Sequence, residues 1–113
     1  MPRHKVFLVP FPFDDLWGTK VRPAVCLTEA IGMHHHVVVA FITSKVVADD
    51  LEEWDIVLEP SQDGFAATGL RVPSTIRLHR LSTVPQSLLL RELGELSQDT
   101  QVQIAEKLHK LFA

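Results

Sequence analysis

The chain has 113 residues, of which 46% are hydrophobic and 22% are charged, and its formal net charge is −3. This length suits one small domain, residues 1–113, and the excess of acid argues against a broad basic surface that grips long nucleic acid. The longest apolar run, residues 37–42, is far shorter than the roughly 20 residues of a membrane-spanning helix. No secretory signal is visible near Met1, so we expect a cytoplasmic protein.

Strand patterns dominate the first four fifths of the chain. Pro10 and Pro12 cannot donate to a ladder, which places Phe11 and Phe13 at a strand end or sheet edge. Gly32 marks the turn of a hairpin. Strands are predicted at residues 6–9, 24–28, 35–42, 54–59, 74–78 and 81–84.

The last segment has a helical period. Ser97 is the predicted N-cap, and Asp99 lies in the first turn, where the helix dipole favours acid. The face expected to pack on the sheet comprises Val102, Ala105, Leu108 and Leu111. A short helical turn is expected at residues 85–90, with Gly94 as a break. Many short strands followed by one helix indicate a β-rich α+β fold, an SH3-like small barrel of about six strands with a C-terminal helix.

The phrase at residues 9–24 joins an apolar strand to a polar loop that ends in Arg22. Pro23 pushes Arg22 towards extended geometry, so the guanidinium leaves the loop in a restricted direction. A planar fork of donors in such a place suits a phosphate. The alternative is a solvated surface arginine at the start of a strand.

A second phrase ends a buried strand in polar residues. The apolar residues 37–42 are followed directly by Thr43, Ser44 and Lys45. Acid is concentrated at residues 49–59, whereas basic residues fall near these two phrases and the late strand, at Lys20, Arg22, Lys45, Arg71, Arg77 and Arg80. A local basic cleft that contacts a few phosphates is therefore compatible with the net charge.

Taken together, these phrases resemble the PemK/MazF family of toxins from bacterial toxin–antitoxin pairs. The resemblance rests on VPFPF, a loop with Gly and Lys, RPA, VVVAFITSK and a late PSTIRL, in that order, and it runs from about Lys5 into the C-terminal helix. It implies a sequence-selective, metal-independent endoribonuclease that acts on single-stranded RNA without a cofactor. It also implies a homodimer with RNA across the dimer groove, and a cognate antitoxin that occupies the same groove.

The resemblance assigns catalytic importance to Arg22 and Thr43. Such enzymes orient the 2′-hydroxyl of RNA as nucleophile and stabilise the charged phosphorane. Arg22 would hold two phosphate oxygens, and Thr43 would donate to a third or orient the 2′-hydroxyl. The candidate RNA-binding residues are Trp17, Thr19, Lys20, Ser44, Lys45, Arg77 and His79.

The proton acceptor stays open at this stage. Arg22 is protonated at ordinary pH and is a poor general base. His79 is a candidate because a free imidazole changes its charge near neutral pH, but the same residue also fits an exposed strand or loop histidine. Asp14 and Asp15 could help, or could be solvated turn residues.

The loop before Arg22 departs from the family pattern. Trp17 stands where many members carry a glutamate. The role of that glutamate therefore cannot be assigned to this position of the chain. Trp17 could stack on an unpaired base or fold against Phe11 or Phe13 as an apolar cover. The altered loop and the net acidity leave open a degenerate member that binds antitoxin or RNA without cutting. The other alternative is a non-enzymatic, gyrase-poisoning toxin of the CcdB type on the same barrel, which would need neither Arg22 nor Thr43.

Two further features are interpreted as structural. Adjacent strand residues face opposite sides, so only His34 and His36 of the histidine run could converge, and no nearby Cys or carboxylate completes a metal site. Cys26 is the sole cysteine and is expected to behave as a small core residue.

Overall fold

The computed structural model describes residues 1–11, 20–44 and 51–113. In these ranges the strands are β1 Lys5–Phe11, β2 Lys20–Cys26, β3 His36–Thr43, β4 Asp55–Leu58, β5 Ser74–Pro85 and β6 Arg91–Glu95, followed by the helix α1 Gln98–Leu111. They form one antiparallel sheet in the order β4-β5-β3-β2-β1-β6. The sheet curls into a half-barrel, which confirms the predicted fold class. No helix in the described ranges is long and apolar enough to cross a membrane.

The number of strands agrees with the prediction, but the sixth strand lies elsewhere. The two segments predicted at residues 74–78 and 81–84 are one long strand, β5, which pairs with β3 on both sides of a register shift and also with β4. The expected break at Gly94 is wrong, since this residue lies inside β6 and pairs with Val6. A Cβ at Gly94 would overlap the backbone of Ala67 and Thr68, so glycine is needed for close approach and not for a turn.

Strand β2 begins earlier than predicted, at Lys20, so that Arg22 lies within a strand and not at the end of a loop. The prediction of extended geometry before Pro23 is met, because Arg22 pairs with Val9 and Pro23 pairs with Leu8 in β1. Phe11 is the last residue of β1, so it lies at a strand end as predicted, whereas Phe13 lies outside the described residues.

The helix is capped as predicted but buries a different face. The Ser97 side chain accepts a hydrogen bond from the Thr100 N–H, and Asp99 lies in the first turn. Ile104 is the buried apolar residue and packs in the core cluster on one side of the sheet. Val102 is half exposed, and Ala105 is also exposed. The predicted face is therefore wrong for Val102 and Ala105.

The opposite side of the sheet carries a second apolar cluster. Its buried members are Val9, Ala24, Cys26, Val37, Val39 and Phe41, and Phe11 packs against them. This side of the sheet leads directly to the candidate site.

Candidate active site

Strands β2 and β3 separate at Pro23. Their last paired residues are Ala24 and Phe41. The Leu27 N–H donates to the Val38 carbonyl, so odd-numbered residues here turn their backbone groups towards β3. Pro23 has no N–H to offer at the next odd position, and the ladder stops there. Arg22 and Thr43 each lie two residues beyond the last pair, on the face that Ala24 and Phe41 share.

An aromatic ring lies under the arginine and contacts a second ring. The Arg22 guanidinium is over the ring of Phe11, with 5.4 Å between Cζ and the ring centroid. The Phe11 ring meets Phe41 in a T-shaped contact with 4.6 Å between centroids. The stack therefore ties a cation to the second apolar cluster and restricts where its charge can point.

A second arginine is held by a buried carboxylate. Arg77 donates from Nε to Oδ1 of Asp55 and from Nη2 to Oδ2 of Asp55, each at 3.0 Å. Asp55 also accepts from the Glu52 N–H at 2.8 Å. The Asp55 side chain is only 1% exposed and that of Arg77 is 16% exposed. Breaking such a buried pair costs about 3–5 kcal/mol in other proteins.

The arginine and phenylalanine side chains just described surround one groove of about 170 Å³. Its lining comprises Phe11, Arg22, Phe41, Ile42, Thr43, Arg77 and Arg80. Within the part of the chain that is described, the lining has three guanidinium groups, one hydroxyl and no carboxylate. The groove thus offers several N–H donors and positive charge above an aromatic floor, a combination that suits a phosphate next to an unpaired base.

The predicted site residues fall into three groups. Arg22, Thr43 and Arg77 meet at the groove. Lys20, Ser44 and His79 are exposed and do not line it. Trp17, Thr19 and Lys45 lie outside the described residues, as do Asp14 and Asp15, so both interpretations of Trp17 stay predictions.

Sequence reasoning missed part of the groove. The sequence indicates Phe41 only as a residue of a buried strand, although it precedes Thr43 by two positions and so shares its face. Asp55 belongs to the acidic stretch 49–59 and to the predicted strand 54–59, and only its position opposite Arg77 in the β4–β5 register reveals its role. The sequence indicates Arg80 only as a cation near the late strand, whereas in the structure it lines the groove.

The histidine run does not build a metal site in the described ranges. His34 is exposed, and its ring centroid is 6.0 Å from that of His36. No group of three His, Cys, Asp or Glu side chains among residues 1–11, 20–44 and 51–113 is placed to hold a metal ion.

The chain belongs to the family of PemK-like, MazF-like toxins of type II toxin–antitoxin systems, because the model of that family matches residues 2–112. The family predicted from the two sequence phrases is thereby confirmed.

Solved structures of similar fold include three toxins. The Mycobacterium tuberculosis toxin MazF-mt6 is 24% identical, with a TM-score of 0.70, over 96% of this chain and 95% of that one. An endoribonuclease in complex with its cognate antitoxin, from a mycobacterial species, is 16% identical, with a TM-score of 0.71, over 97% and 92%. MazF from Deinococcus radiodurans is 16% identical, with a TM-score of 0.72, over 99% and 96%. A search of curated proteins gave no significant match.

Proposed function

We propose that this chain is a sequence-selective, metal-independent endoribonuclease toxin that cleaves single-stranded RNA. The observation that carries the proposal is the convergence of Arg22, Arg77 and Thr43 on one groove with an aromatic floor. Membership of the toxin family supports the same activity class.

In the proposed reaction the substrate supplies its own nucleophile. The 2′-hydroxyl oxygen attacks the adjacent phosphorus, the bond from phosphorus to the 5′ oxygen breaks, and a 2′,3′-cyclic phosphate and a free 5′-hydroxyl form. The 2′-hydroxyl loses one proton and the leaving oxygen gains one, so no co-reactant is consumed. Proximity and charge stabilisation are the main contributions that the protein must make.

Arg22 and Thr43 are assigned to the phosphorane. The Arg22 fork binds two phosphate oxygens as negative charge develops, and the Thr43 hydroxyl donates to the third oxygen or orients the 2′-hydroxyl. Guanidinium groups supply the positive charge that a divalent ion provides in other nucleases. Neither an imidazole nor a carboxylate lines the described part of the groove, so we assign proton transfer to water or to a group outside this lining.

We further propose that the toxin works in the cytoplasm as a homodimer of one-domain chains, and that a cognate antitoxin neutralises it by covering the groove. A similar structure is an endoribonuclease bound to its cognate antitoxin, which supports this form of control. A groove lined by guanidinium groups also suits an acidic peptide segment.

The test uses a mixed-sequence RNA to map the cut, then a short RNA that contains the preferred site. A single 2′-deoxy substitution immediately upstream of the cut should abolish scission there and hardly change binding. The same substitution one nucleotide further upstream is the matched control and should be cut normally. Chelator should leave the rate unchanged, and the products should carry a 2′,3′-cyclic phosphate and a 5′-hydroxyl. Undiminished cleavage of the deoxy bond, or strict dependence on added divalent ion, would overturn the mechanism.

A further inference from the structure

Among the described residues, Asp55 is the one acidic or basic side chain that is buried. Aspartate is rarely this buried unless it is paired, and here it lies at the start of β4, the strand at one edge of the sheet. A buried ion pair contributes little net stability compared with apolar residues of similar size. Stability alone therefore gives a weak reason for a carboxylate at this position.

The geometry of the pair gives a stronger reason. Asp55 and Arg77 are direct partners in the β4–β5 register, and the carboxylate takes the Nε and Nη2 edge of the guanidinium. Because the guanidinium is planar, two parallel hydrogen bonds define both its position and its plane. The Glu52 N–H bonds to the same carboxylate and limits its rotation in turn.

The restrained arginine lies beside the candidate hydroxyl. Thr75 pairs with Thr43 across the β3–β5 ladder, and Arg77 is two residues further along β5 on the same face. Arg77 lines the groove, whereas Asp55 does not. Asp55 therefore acts on the groove through its ion pair with Arg77, which orients the guanidinium and offsets its charge.

We propose that Asp55 is a positioning residue for the reaction, holding the Arg77 guanidinium in the plane and place where it meets the RNA phosphate beside Thr43. This inference rests on the proposed function. Asp55 also offsets one of the three positive charges of the groove, so its removal should leave RNA binding intact while orientation is lost.

The test is Asp55→Asn, which preserves shape but removes the charge. The kcat per folded molecule should fall roughly 10-fold or more, whereas KM should stay the same or decrease. If Asp55 served only folding, the Asp55→Asn substitution would lower the melting temperature without changing kcat per folded molecule. Unchanged kcat in a folded Asp55→Asn protein, beside an active wild type, would overturn this inference alone. A wild type that cuts no RNA would instead overturn the proposed function.

Two control variants isolate the effect. Glu92→Gln removes a carboxylate from an exposed ion pair, in which Lys5 Nζ lies 3.5 Å from Glu92 Oε1, and it should change neither kcat nor KM. Ile104→Val weakens the packing of α1 and should lower the melting temperature without changing kcat.

A second measurement keeps the proposal testable if Asp55→Asn does not fold. In the NMR spectrum of the wild type, the Arg77 Nε–H signal can be identified because it is lost in Arg77→Lys. The proton that gives this signal should exchange slowly with water. It should remain protected when RNA with a 2′-deoxy residue at the cut is bound. Release of Arg77 from Asp55 on RNA binding, seen as loss of that protection, would overturn the proposal.

Discussion

Arg22 and Phe11 form a cation–π contact, with the guanidinium carbon 5.4 Å from the centre of the ring. The two residues come from paired strands, since Phe11 ends β1 and Arg22 lies near the start of β2. The ring is itself fixed by Phe41 on β3. Three strands thus cooperate to orient one positive charge at the mouth of the groove.

The shape of the Arg22 side chain should matter as well as its charge. Arg22→Lys keeps the charge but loses the bidentate fork, so we expect turnover to fall by roughly 10²-fold or more while the fold survives. Single-turnover cleavage and circular dichroism measure the two properties. Cleavage close to the wild-type rate would rule out the role assigned to Arg22.

Replacing the aromatic ring under Arg22 should reduce turnover less than replacing Arg22 itself. Phe11→Leu retains apolar volume but removes the π face, and a cation–π contact contributes about 0.5–2 kcal/mol, so kcat should fall roughly 2- to 30-fold. Phe7→Leu is the matched control, because Phe7 packs against the same apolar cluster without lining the groove. Equal effects of the two substitutions would show that packing alone explains the loss.

Removal of the Thr43 hydroxyl distinguishes the enzyme hypothesis from the hypothesis of a non-enzymatic poison. Thr43→Val is nearly isosteric and removes one hydrogen bond to a charged group, so cleavage should fall roughly 10- to 100-fold. Growth inhibition in cells should fall with it. Thr83→Val, at an exposed position of β5 outside the groove, should change neither. Full toxicity without cleavage would favour the gyrase-poisoning alternative.

The helix face can be checked by a pair of alanine substitutions. Ile104→Ala should destabilise the protein by about 2–5 kcal/mol, because Ile104 is 3% exposed in the core. Val102→Ala should change stability by less than about 0.5 kcal/mol, because Val102 is 51% exposed. Urea unfolding measures both. Similar losses at the two positions would contradict the orientation of α1.

Cys26 should make the folded protein less stable at alkaline pH. Burial raises the pKa of the Cys26 thiol above its ordinary value of 9.0. The folded protein therefore keeps this proton at a pH where the unfolded chain loses it, and stability should decline as pH rises above about 9. Between about pH 7.5 and about pH 10, the urea midpoint of the wild type should fall further than that of Cys26→Ala. Parallel declines would show that other groups dominate.

Local signals in the sequence were sufficient for most elements. The apolar run that became β3, the proline near the end of β1 and the Ser97 cap each act over a few residues, so their effects can be read without knowing the fold. Arg22 and Thr43 could also be predicted as site residues from the sequence, because each lies where apolar residues give way to polar ones. The family resemblance then linked the two.

Tertiary structure decided what depends on residues far apart in the chain. In the sequence, Gly94 resembles a residue that ends a strand, yet β6 continues through it because β1 provides the hydrogen-bonding partners. Glycine is needed at this position because a Cβ would overlap the backbone of Ala67 and Thr68. Asp55 became a partner of Arg77 only through the β4–β5 register, and Phe41 reached the groove only where β2 and β3 part at Pro23. Strand register and the shape of a groove arise from hydrogen bonds and packing between distant segments, which local periodicity does not encode.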